Sequence, residues 1–411
     1  MKRPEILSPA GNFEKMCFAI NYGADAVYLA GKQFGMRGAS DNFTVQQLYE
    51  AVKYCHDRDK KIYVTVNVMP HPEQAKLLPE YLLQLADIKP DALIVSDLGV
   101  FSMAQRYAKG IDLHISTQAS TVNAQACNMW HSLGAKRVVL ARELSLEEIK
   151  SIKSEIPAEL ELETFVHGSM CVSMSGRCLL SNYYADRDAN GGKCAQPCRW
   201  EYLDGCKYAQ IFEKKRPDQI LDVVENETGT FIFASKDMCM IEHIPELVEA
   251  GIDSFKIEGR VKSAYYTAVT ANAYKNELVA YFNDKENYKF NPQSKKELES
   301  VSHREYHTGY FFDSPMKCAN IASNGGYIKD KAFLATVQEV KDGRAILFQR
   351  NKMCEGDSIE IVSPGRKTVE FVARDMRDQK GNSIQSAPHP QMIFSIEAGK
   401  DIHKGDIIRA K

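Results

Sequence analysis

Four cysteines in the middle of the chain could bind a metal ion or an iron-sulfur cluster. Six residues separate Cys171 from Cys178; Cys194 follows after fifteen more and Cys198 after another three. Glycines and a proline lie between them, and these residues form the tight turns that let distant thiolates converge. The neighbouring residues are mostly Gly, Ser, Arg, Asp and Asn, without the apolar periodicity of a core segment. The pattern therefore favours metal ligands over buried structural thiols or redox disulfides.

The same spacing favours an iron-sulfur cluster over structural zinc. The segment has no tight Cys-x2-Cys pair of the zinc-knuckle type and no histidines at zinc-finger spacing. The fourth ligand has two candidates, Cys198 and Cys239. Cys239 is predicted in the first turn of a helix over 237–250 that begins at the same end of the fold, and a helix N-terminus favours the thiolate form.

The composition is that of an ordinary globular protein. With 411 residues, the chain is long enough for one large domain and one or two smaller ones. No apolar run approaches the ~20 residues of a membrane span, and the N-terminal residues have no signal-peptide core, so we expect a cytoplasmic protein with reduced cysteines and no membrane contact. The net charge of −2 gives no global basic field, so any nucleic-acid site would have to be local.

Residues 5–260 alternate short β-rich runs with amphipathic helical patterns. The predicted strands are Glu5–Ser8, Ala26–Ala30, Ile62–Val68, Ala92–Ser96, Leu113–Thr117, Arg137–Leu140, Leu160–Val166 and Ser254–Glu258. The predicted helices cover 12–23, 44–58, 73–87, 98–108, 122–133, 145–154, 237–250 and 262–282. Eight strands, each followed by a helix, predict an α/β protein with a (β/α)8 TIM-like barrel over residues 1–282.

In such barrels the active site lies at the carboxyl ends of the strands. The polar residues predicted there include Asn67, Gln118, Arg142, His167, Glu258 and Arg260. Planar guanidinium groups suit bidentate binding of carboxylates or phosphates, although either arginine could instead form a salt bridge. His167 could equally be a hydrogen-bonded structural residue. The cysteine-rich insertion, residues 168–234, leaves the barrel after the seventh strand, so we expect it to lie over the barrel mouth.

The remainder of the chain is predicted to form a second, smaller domain. Residues 283–326 are polar and broken, and are interpreted as a linker that packs on the barrel. Residues 327–411 alternate β-rich runs with turns such as Lys341-Asp-Gly343 and Glu355-Gly-Asp357, which indicates a small antiparallel β-barrel. Such a domain often binds RNA or protein, but its fold alone does not decide between them.

Several motifs resemble the U-32 collagenase-like peptidase family. They include Glu163-x-Phe-x-x-Gly168-Ser-Met-Cys171, Gly176-Arg-Cys178-x-x-Ser181-Asn and Lys256-Ile-Glu-Gly-Arg260. The family name implies proteolysis, but the sequence has neither a His-Glu-x-x-His helix nor a Gly-x-Ser-x-Gly elbow. Members with this barrel and cysteine pattern are instead associated with oxygen-independent hydroxylation of a tRNA wobble uridine, an rRNA cytidine or a ubiquinone precursor.

The motif Cys194-Ala-Gln-Pro-Cys-Arg-Trp200 looks most like the tRNA group. The resemblance implies formation of 5-hydroxyuridine in tRNA, with prephenate as the hydroxyl source and a 4Fe-4S cluster. It also implies that the last ligand is drawn from a downstream position, here Cys239, so that Cys171, Cys178, Cys194 and Cys239 hold the cluster and Cys198 is the alternative.

The implied chemistry assigns roles to the residues at the barrel mouth. Arg142 and Arg260 would hold the two carboxylates of prephenate, while Gln118 and Asn67 would orient it. The candidates for a catalytic residue are His167 and Glu258. Two other functions are left open: a collagenase-like peptidase, and a non-catalytic iron-sulfur subunit that works with a paralogous hydroxylase subunit.

Overall fold

The computed structural model describes residues 2–36, 41–171, 173–200, 210–213, 216–222, 224–226, 229–231, 235–312 and 327–411. The strands of its first part are β1 (Glu5–Pro9), β2 (Ala26–Ala30), β3 (Lys61–Val66), β4 (Ala92–Val95), β5 (Asp112–Ile115), β6 (Arg137–Val139), β7 (Glu161–Ser169), β8 (Gln210–Glu213), β9 (Arg216–Asp222), β10 (Val224–Asn226), β11 (Gly229–Phe231), β12 (Asp237–Cys239), β13 (Ser254–Ile257) and β14 (Tyr306–His307). Strands β1 to β7 pair in parallel in chain order, and β13 pairs in parallel with both β7 and β1. This closes a barrel of eight parallel strands, which confirms the predicted fold class.

The barrel helices lie close to their predicted positions. They and the other helices are α1 (Phe13–Asn21), α2 (Val45–His56), α3 (Pro72–Ala75), α4 (Leu78–Ile88), α5 (Leu98–Tyr107), α6 (Ala124–Ser132), α7 (Leu146–Glu155), α8 (Leu180–Ala185), α9 (Ile244–Glu249), α10 (Ala264–Asn283) and α11 (Pro292–Glu299). The carboxamide of Asn12 and the carboxylate of Asp97 accept backbone N–H groups at the starts of α1 and α5. These two polar residues after strands are therefore helix caps.

The helix predicted over 237–250 is wrong in its first half. Residues 237–239 form β12, which runs antiparallel to the end of β7, and α9 begins only at Ile244. Two features favour the strand. Pro245 suits the first turn of a helix, and Asp237 is bound by Arg304, whose Nη2 lies 2.7 Å from Oδ1. Cys239 therefore lies in a strand rather than in the first turn of a helix.

Charged residues fill the part of the barrel interior that lies toward the amino ends of the strands. Arg137 Nη1 lies 2.8 Å from Glu5 Oε1 and 3.0 Å from Glu163 Oε2, and Lys256 Nζ lies 2.5 Å from Glu163 Oε1. Burial opposes ionisation of Glu163, but Lys256 and Arg137 together lower its pKa. The carboxylate therefore stays charged and holds Lys256 in a fixed position below the barrel mouth.

The C-terminal part forms a separate antiparallel sheet. Its strands are β15 (Phe333–Lys341), β16 (Arg344–Gln349), β17 (Met353–Cys354), β18 (Ser358–Val362), β19 (Val369–Val372), β20 (Arg377–Asp378), β21 (Ser386–Ala387), β22 (Ile393–Glu397) and β23 (Ile407–Ala410). Seven of them pair in the order β19-β18-β23-β15-β16-β22-β20. Because β19 and β20 are edge strands, the predicted small barrel is an open half-barrel.

The sheet packs against the barrel through buried polar contacts. Arg409 Nη1 lies 2.6 Å from Glu297 Oε2 on α11, and the hydroxyl of Tyr22 donates to the carbonyl oxygen of Val362 at 2.7 Å. Parts of the predicted insertion (168–234) and linker (283–326), including 201–209 and 313–326, lie outside the described residues. None of the helices in the described part of the chain is long and apolar enough to cross a membrane.

Candidate functional site

A small cavity opens at the carboxyl ends of the barrel strands. Its volume is about 50 Å³, which suits one carboxylate group or one or two water molecules. The cavity is lined by Tyr28, Met36, Thr65, Asn67, Ile94, Ser116, Thr117, Gln118, Arg142, Phe165, Lys256, Glu258 and Arg260. The structure thus brings the four residues predicted to bind substrate, and the candidate Glu258, into one cavity.

Arg142 is fixed by one aromatic contact and one long ion pair. Its guanidinium carbon lies 4.0 Å from the centroid of the Phe165 ring, and its Nη2 lies 3.8 Å from Glu258 Oε2. The hydroxyl of Tyr28 donates to the same Glu258 oxygen at 3.4 Å. The contact with the Phe165 ring holds the guanidinium in place, and a 3.8 Å ion pair is too long for a bidentate bond, so the fork can still receive a carboxylate.

Arg260 reaches the cavity from the residues that follow β13. Its side chain is buried, and its Nη1 donates to Thr65 Oγ1 at 3.5 Å. Its backbone carbonyl oxygen accepts from Lys15 Nζ at 3.4 Å. These contacts place a second guanidinium on the wall formed by β3 and β13.

Asn67 and Gln118 belong to one hydrogen-bond network centred on Ser116. Asn67 Nδ2 donates to Ser116 Oγ at 3.3 Å, and Asn67 Oδ1 accepts the backbone N–H of Met36 at the same distance. The backbone N–H of Gln118 donates to Ser116 Oγ, also at 3.3 Å. The side chain of Asn67, which is held by both of its polar atoms, can position a polar ligand without reorganising.

Sequence reasoning missed Lys256, which lines the same cavity as the two arginines. Its Nζ lies 4.7 Å from the centroid of the Tyr28 ring. Burial lowers the pKa of Lys256, although Glu163 opposes the shift. The signal was available, because Lys256 and Glu258 are two residues apart and therefore face the same side of β13. With Lys256, the lining contains three basic side chains and one acidic side chain, so the cavity suits an anion.

His167 does not line this cavity, which corrects its predicted position at the barrel mouth. The β7 strand continues past it to Ser169, and the register with β13 shifts between Lys256 and Ile257. Such a bulge reverses the alternation of side chains, so the His167 ring lies among Tyr266, Tyr274 and Tyr306. Burial lowers the pKa of His167 to about 3, and the imidazole is therefore neutral at pH 7.

The segment that carries four of the cysteines, residues 171 and 173–200, lies over the barrel mouth, as predicted for the insertion, and we refer to it as the covering segment. Glu143 accepts the backbone N–H of Ser175 at 2.6 Å and its hydroxyl at 2.8 Å. Arg177 Nε donates to the carbonyl oxygen of Gln118 at 2.8 Å. Gly176 has a φ of +82°, and a Cβ there would lie 2.7 Å from Gln118 Nε2. The positive φ favours glycine here, and a side chain at this position would also have to displace the Gln118 amide.

The five candidate ligand cysteines lie in two places, four in the covering segment and one in the barrel sheet. Cys171, Cys178, Cys194 and Cys198 are half-buried, reduced thiols in the covering segment, and the backbone N–H of Leu180 lies 3.3 Å from Cys178 Sγ. Such N–H···S contacts suit thiolate ligands of a cluster. Within the described residues, however, no three Cys, His, Asp or Glu side chains form a group that could hold a metal ion.

Cys239 lies in β12 and not in the covering segment with the other four candidate ligands. It is opposite His167 in the β7–β12 pair. Cys171 is four residues beyond His167 along the chain, so at most about 13 Å of extended backbone separates Cys171 from the residue opposite Cys239. Burial raises the pKa of the Cys239 thiol to about 12. Cys198 belongs to the same segment as Cys171, Cys178 and Cys194, whereas Cys239 belongs to the sheet, and both candidates for the fourth ligand stay predictions.

Three aromatic side chains are exposed on the outside of the covering segment. The exposed fractions are 85% for Tyr183, 60% for Tyr184 and 37% for Trp200. The rings of Tyr184 and Trp200 meet edge to face, with centroids 6.3 Å apart. We refer to these three residues as the aromatic surface. Exposed rings of this kind are suited to stacking on planar groups such as nucleobases.

Comparison with known proteins places this arrangement in a family. The sequence model of the family described as "Peptidase family U32" matches residues 11–320, and the model described as "Peptidase family U32 C-terminal domain" matches residues 329–409. The chain belongs to peptidase family U32. The first match includes the barrel from α1 onward and the covering segment, and the second includes nearly all of the half-barrel, so both parts of the fold belong to the family.

Relatives in the family have two kinds of name. "tRNA hydroxylation protein P1" of Bacillus subtilis is 35% identical and covers 99% of this chain and 95% of its own length. "tRNA hydroxylation protein P2" of the same organism is 33% identical, over 76% of this chain and 98% of that protein. "Collagenase" of Porphyromonas gingivalis is 32% identical, over 98% of this chain and 96% of that protein. Family membership alone therefore does not choose between RNA and protein substrates.

Proposed function

We propose that this protein hydroxylates tRNA, converting a wobble uridine to 5-hydroxyuridine with prephenate as the hydroxyl source. The observation that carries the proposal is the similarity, over nearly the full length of both chains, to a protein named for tRNA hydroxylation. Two features of the described residues support it independently. They are the basic cavity at the barrel mouth and the aromatic surface of the covering segment.

The cavity supports an anionic co-substrate. Arg142 and Arg260 lie on different walls, so each can receive one carboxylate of a dicarboxylate while Asn67 and Gln118 bind its other polar groups. At about 50 Å³ the cavity holds only one carboxylate, so we infer that it widens when both arginines bind prephenate. We infer that the ring of prephenate lies higher, beneath the covering segment, where a nucleobase can reach it.

The aromatic surface supports an RNA substrate. A uridine in an anticodon loop can leave its stack, and aromatic rings stabilise unstacked bases by about 1–3 kcal/mol per base. Tyr183 and Tyr184 lie on α8, which belongs to the segment that contacts the cavity through Gly176. A base bound on these rings would be held close to the barrel mouth.

The reaction is balanced without a further oxidant. The C5–H bond of uridine is replaced by C5–OH, which removes two electrons from the base. The prephenate carbon that gives up its hydroxyl group takes those two electrons and a proton. A 4Fe-4S cluster would supply electron transfer next to this exchange. Cys171, Cys178 and Cys194 would hold it, with Cys239 or Cys198 as the fourth ligand.

A peptidase is the second candidate, because one relative is named a collagenase. The lining of the cavity contains no cysteine and no histidine, although it does contain Ser116 and Thr117. A hydroxyl nucleophile in a peptidase needs a base in hydrogen-bond reach. The nearby Lys256 is instead bound to Glu163 at 2.5 Å. The described site thus favours anion binding over peptide cleavage.

The proposal is tested in cells by mass spectrometry of tRNA nucleosides. Deleting the gene is expected to lower 5-hydroxyuridine or its methoxy derivative in bulk tRNA. Bacillus subtilis has both a P1 and a P2 relative, so a paralogue could mask the loss, and each paralogue should be deleted as well. Unchanged nucleosides in the multiple deletion, together with gelatin cleavage by the pure protein, would contradict the hydroxylase function and favour the peptidase.

A further inference from the structure

A large polar cleft lies between the barrel and the C-terminal half-barrel. Its volume is about 860 Å³, and it shares no lining residue with the cavity at the barrel mouth. One wall is formed by α10 and α11, and the other by β18 and the turn that follows it. Ligand sites often lie at such domain boundaries. We refer to this region as the interdomain cleft.

The interdomain cleft has an excess of positive charge in a protein whose net charge is −2. Six basic and four acidic side chains line it. Three of the acidic side chains, Glu297, Glu360 and Glu370, form ion pairs of 2.6 Å with Arg409, Lys331 and Lys411 respectively. The fourth, Glu277, accepts hydrogen bonds from the hydroxyls of Tyr288 and Ser294. The carboxylates of the cleft therefore already have partners.

Four basic side chains of the cleft form no such ion pair within the described residues. Lys289, Lys296, Arg366 and Lys367 are exposed, and none forms an ion pair with a carboxylate of the described residues. An exposed cation without a carboxylate partner can bind an anion without first breaking a salt bridge. The cleft thus offers four such cations along one surface.

The turn that presents two of these cations is held in place by α10. The backbone N–H of Gly365 donates to Asn272 Oδ1 at 2.9 Å, and Arg366 Nη1 lies 3.0 Å from His403 Nδ1. Asn276, one helical turn after Asn272, also lines the cleft and supplies another amide group. The cationic residues are therefore mounted on ordered elements of both domains.

We propose that the interdomain cleft binds consecutive backbone phosphates of the substrate RNA. The inference rests on the proposed function. The cations are spread along an open surface rather than converging on one point, which suits a polyanion better than a small phosphorylated molecule. Helix α10 begins just after β13 at the barrel mouth, and its cleft residues, from Val269 to Ala280, extend about 8 to 24 Å down the barrel flank at the rise of an α-helix. An RNA stem can therefore lie along the cleft while its loop reaches the mouth.

The test compares two variants of the full-length protein. The cleft variant combines Lys296→Gln, Arg366→Gln and Lys367→Gln. The control variant combines Arg106→Gln, Lys109→Gln and Lys136→Gln, which are exposed on the other side of the barrel. Both lose one arginine and two lysines, so their net charges are equal. Binding of fluorescently labelled tRNA is measured by anisotropy over a series of salt concentrations, and melting temperatures confirm that both variants are folded.

The cleft variant is expected to bind tRNA about tenfold to a hundredfold more weakly than the wild type near physiological salt. Its plot of log affinity against log salt should be shallower by about 3, because each phosphate contact contributes ~0.9 to the slope. The control variant should keep the wild-type slope. An equal change in both variants would show a general charge effect and overturn the proposal.

Further outcomes separate this proposal from the proposed function. If the cleft variant binds tRNA with the affinity and salt dependence of the wild type and 5-hydroxyuridine is still formed, only the proposed role of the cleft is overturned. If the cleft variant binds RNA more weakly and the wild-type protein forms no 5-hydroxyuridine, the proposed function is overturned and the proposed role of the cleft is not. Calorimetry with inorganic phosphate provides the last arm: phosphate binding lost in the cleft variant, with tRNA binding unchanged, would indicate a small-anion site instead.

Discussion

Alanine at Cys171, Cys178 or Cys194 is expected to abolish the iron-sulfur cluster and, with it, the hydroxylation of tRNA. Wild-type protein prepared without oxygen should be brown, with broad absorbance near 400 nm and about four irons per chain, as expected of a 4Fe-4S cluster. Each variant removes one thiolate of the proposed set and should be colourless. Iron analysis and absorbance spectra measure the effect directly.

Two further variants decide the fourth ligand. Loss of iron in Cys239→Ala and not in Cys198→Ala would assign Cys239, and the reverse would assign Cys198. Cys354→Ala is the matched control, because Cys354 is also a half-buried thiol but lies in β17 of the half-barrel. Colourless wild-type protein with stoichiometric zinc would contradict the iron-sulfur proposal.

Replacing Arg142 or Arg260 with lysine is expected to weaken prephenate binding about tenfold to a hundredfold. Lysine keeps the positive charge but removes the planar fork that binds a carboxylate through two parallel hydrogen bonds. A lost charge-assisted hydrogen bond costs about 1.5–3 kcal/mol, and each ~1.4 kcal/mol is a factor of ten in affinity. Calorimetric titration of prephenate into each variant measures this change.

The arginine variants carry their own controls. Neither arginine is a proposed cluster ligand, so iron content should equal that of the wild type, and the melting temperature reports any defect in folding. Arg106→Lys on α5 changes an exposed arginine away from the cavity and should bind prephenate normally. Unaltered affinity in both Arg142→Lys and Arg260→Lys would show that these arginines are structural and that any carboxylates bind elsewhere.

Much of the barrel could be predicted from the sequence because its signals are local. Apolar runs such as Ala26–Ala30 mark strands that are buried on both faces, and the polar residues that follow several strands mark the barrel mouth. Arg142, Arg260, Asn67 and Gln118 converge because parallel strands bring their carboxyl ends to one edge. This convergence follows from topology alone.

Other features depend on contacts between distant segments and could not be predicted in the same way. The bulge that turns His167 away from the cavity depends on pairing with β13, about ninety residues later in the chain. The strand that carries Cys239 depends on pairing with the end of β7 and on Arg304. The role of Glu143 in holding the covering segment could not be separated from helix capping, because both use a carboxylate after a strand.

The central claim is tested most directly by a reaction of the purified, iron-loaded protein with a tRNA transcript under anaerobic conditions. The hydroxyl group of prephenate is labelled with heavy oxygen, and the digested nucleosides are examined by mass spectrometry. We expect 5-hydroxyuridine that carries the heavy isotope, formed only when prephenate is present. Product without the label would contradict prephenate as the hydroxyl source, and the absence of product from iron-loaded protein would contradict the assignment of this chain as the hydroxylase.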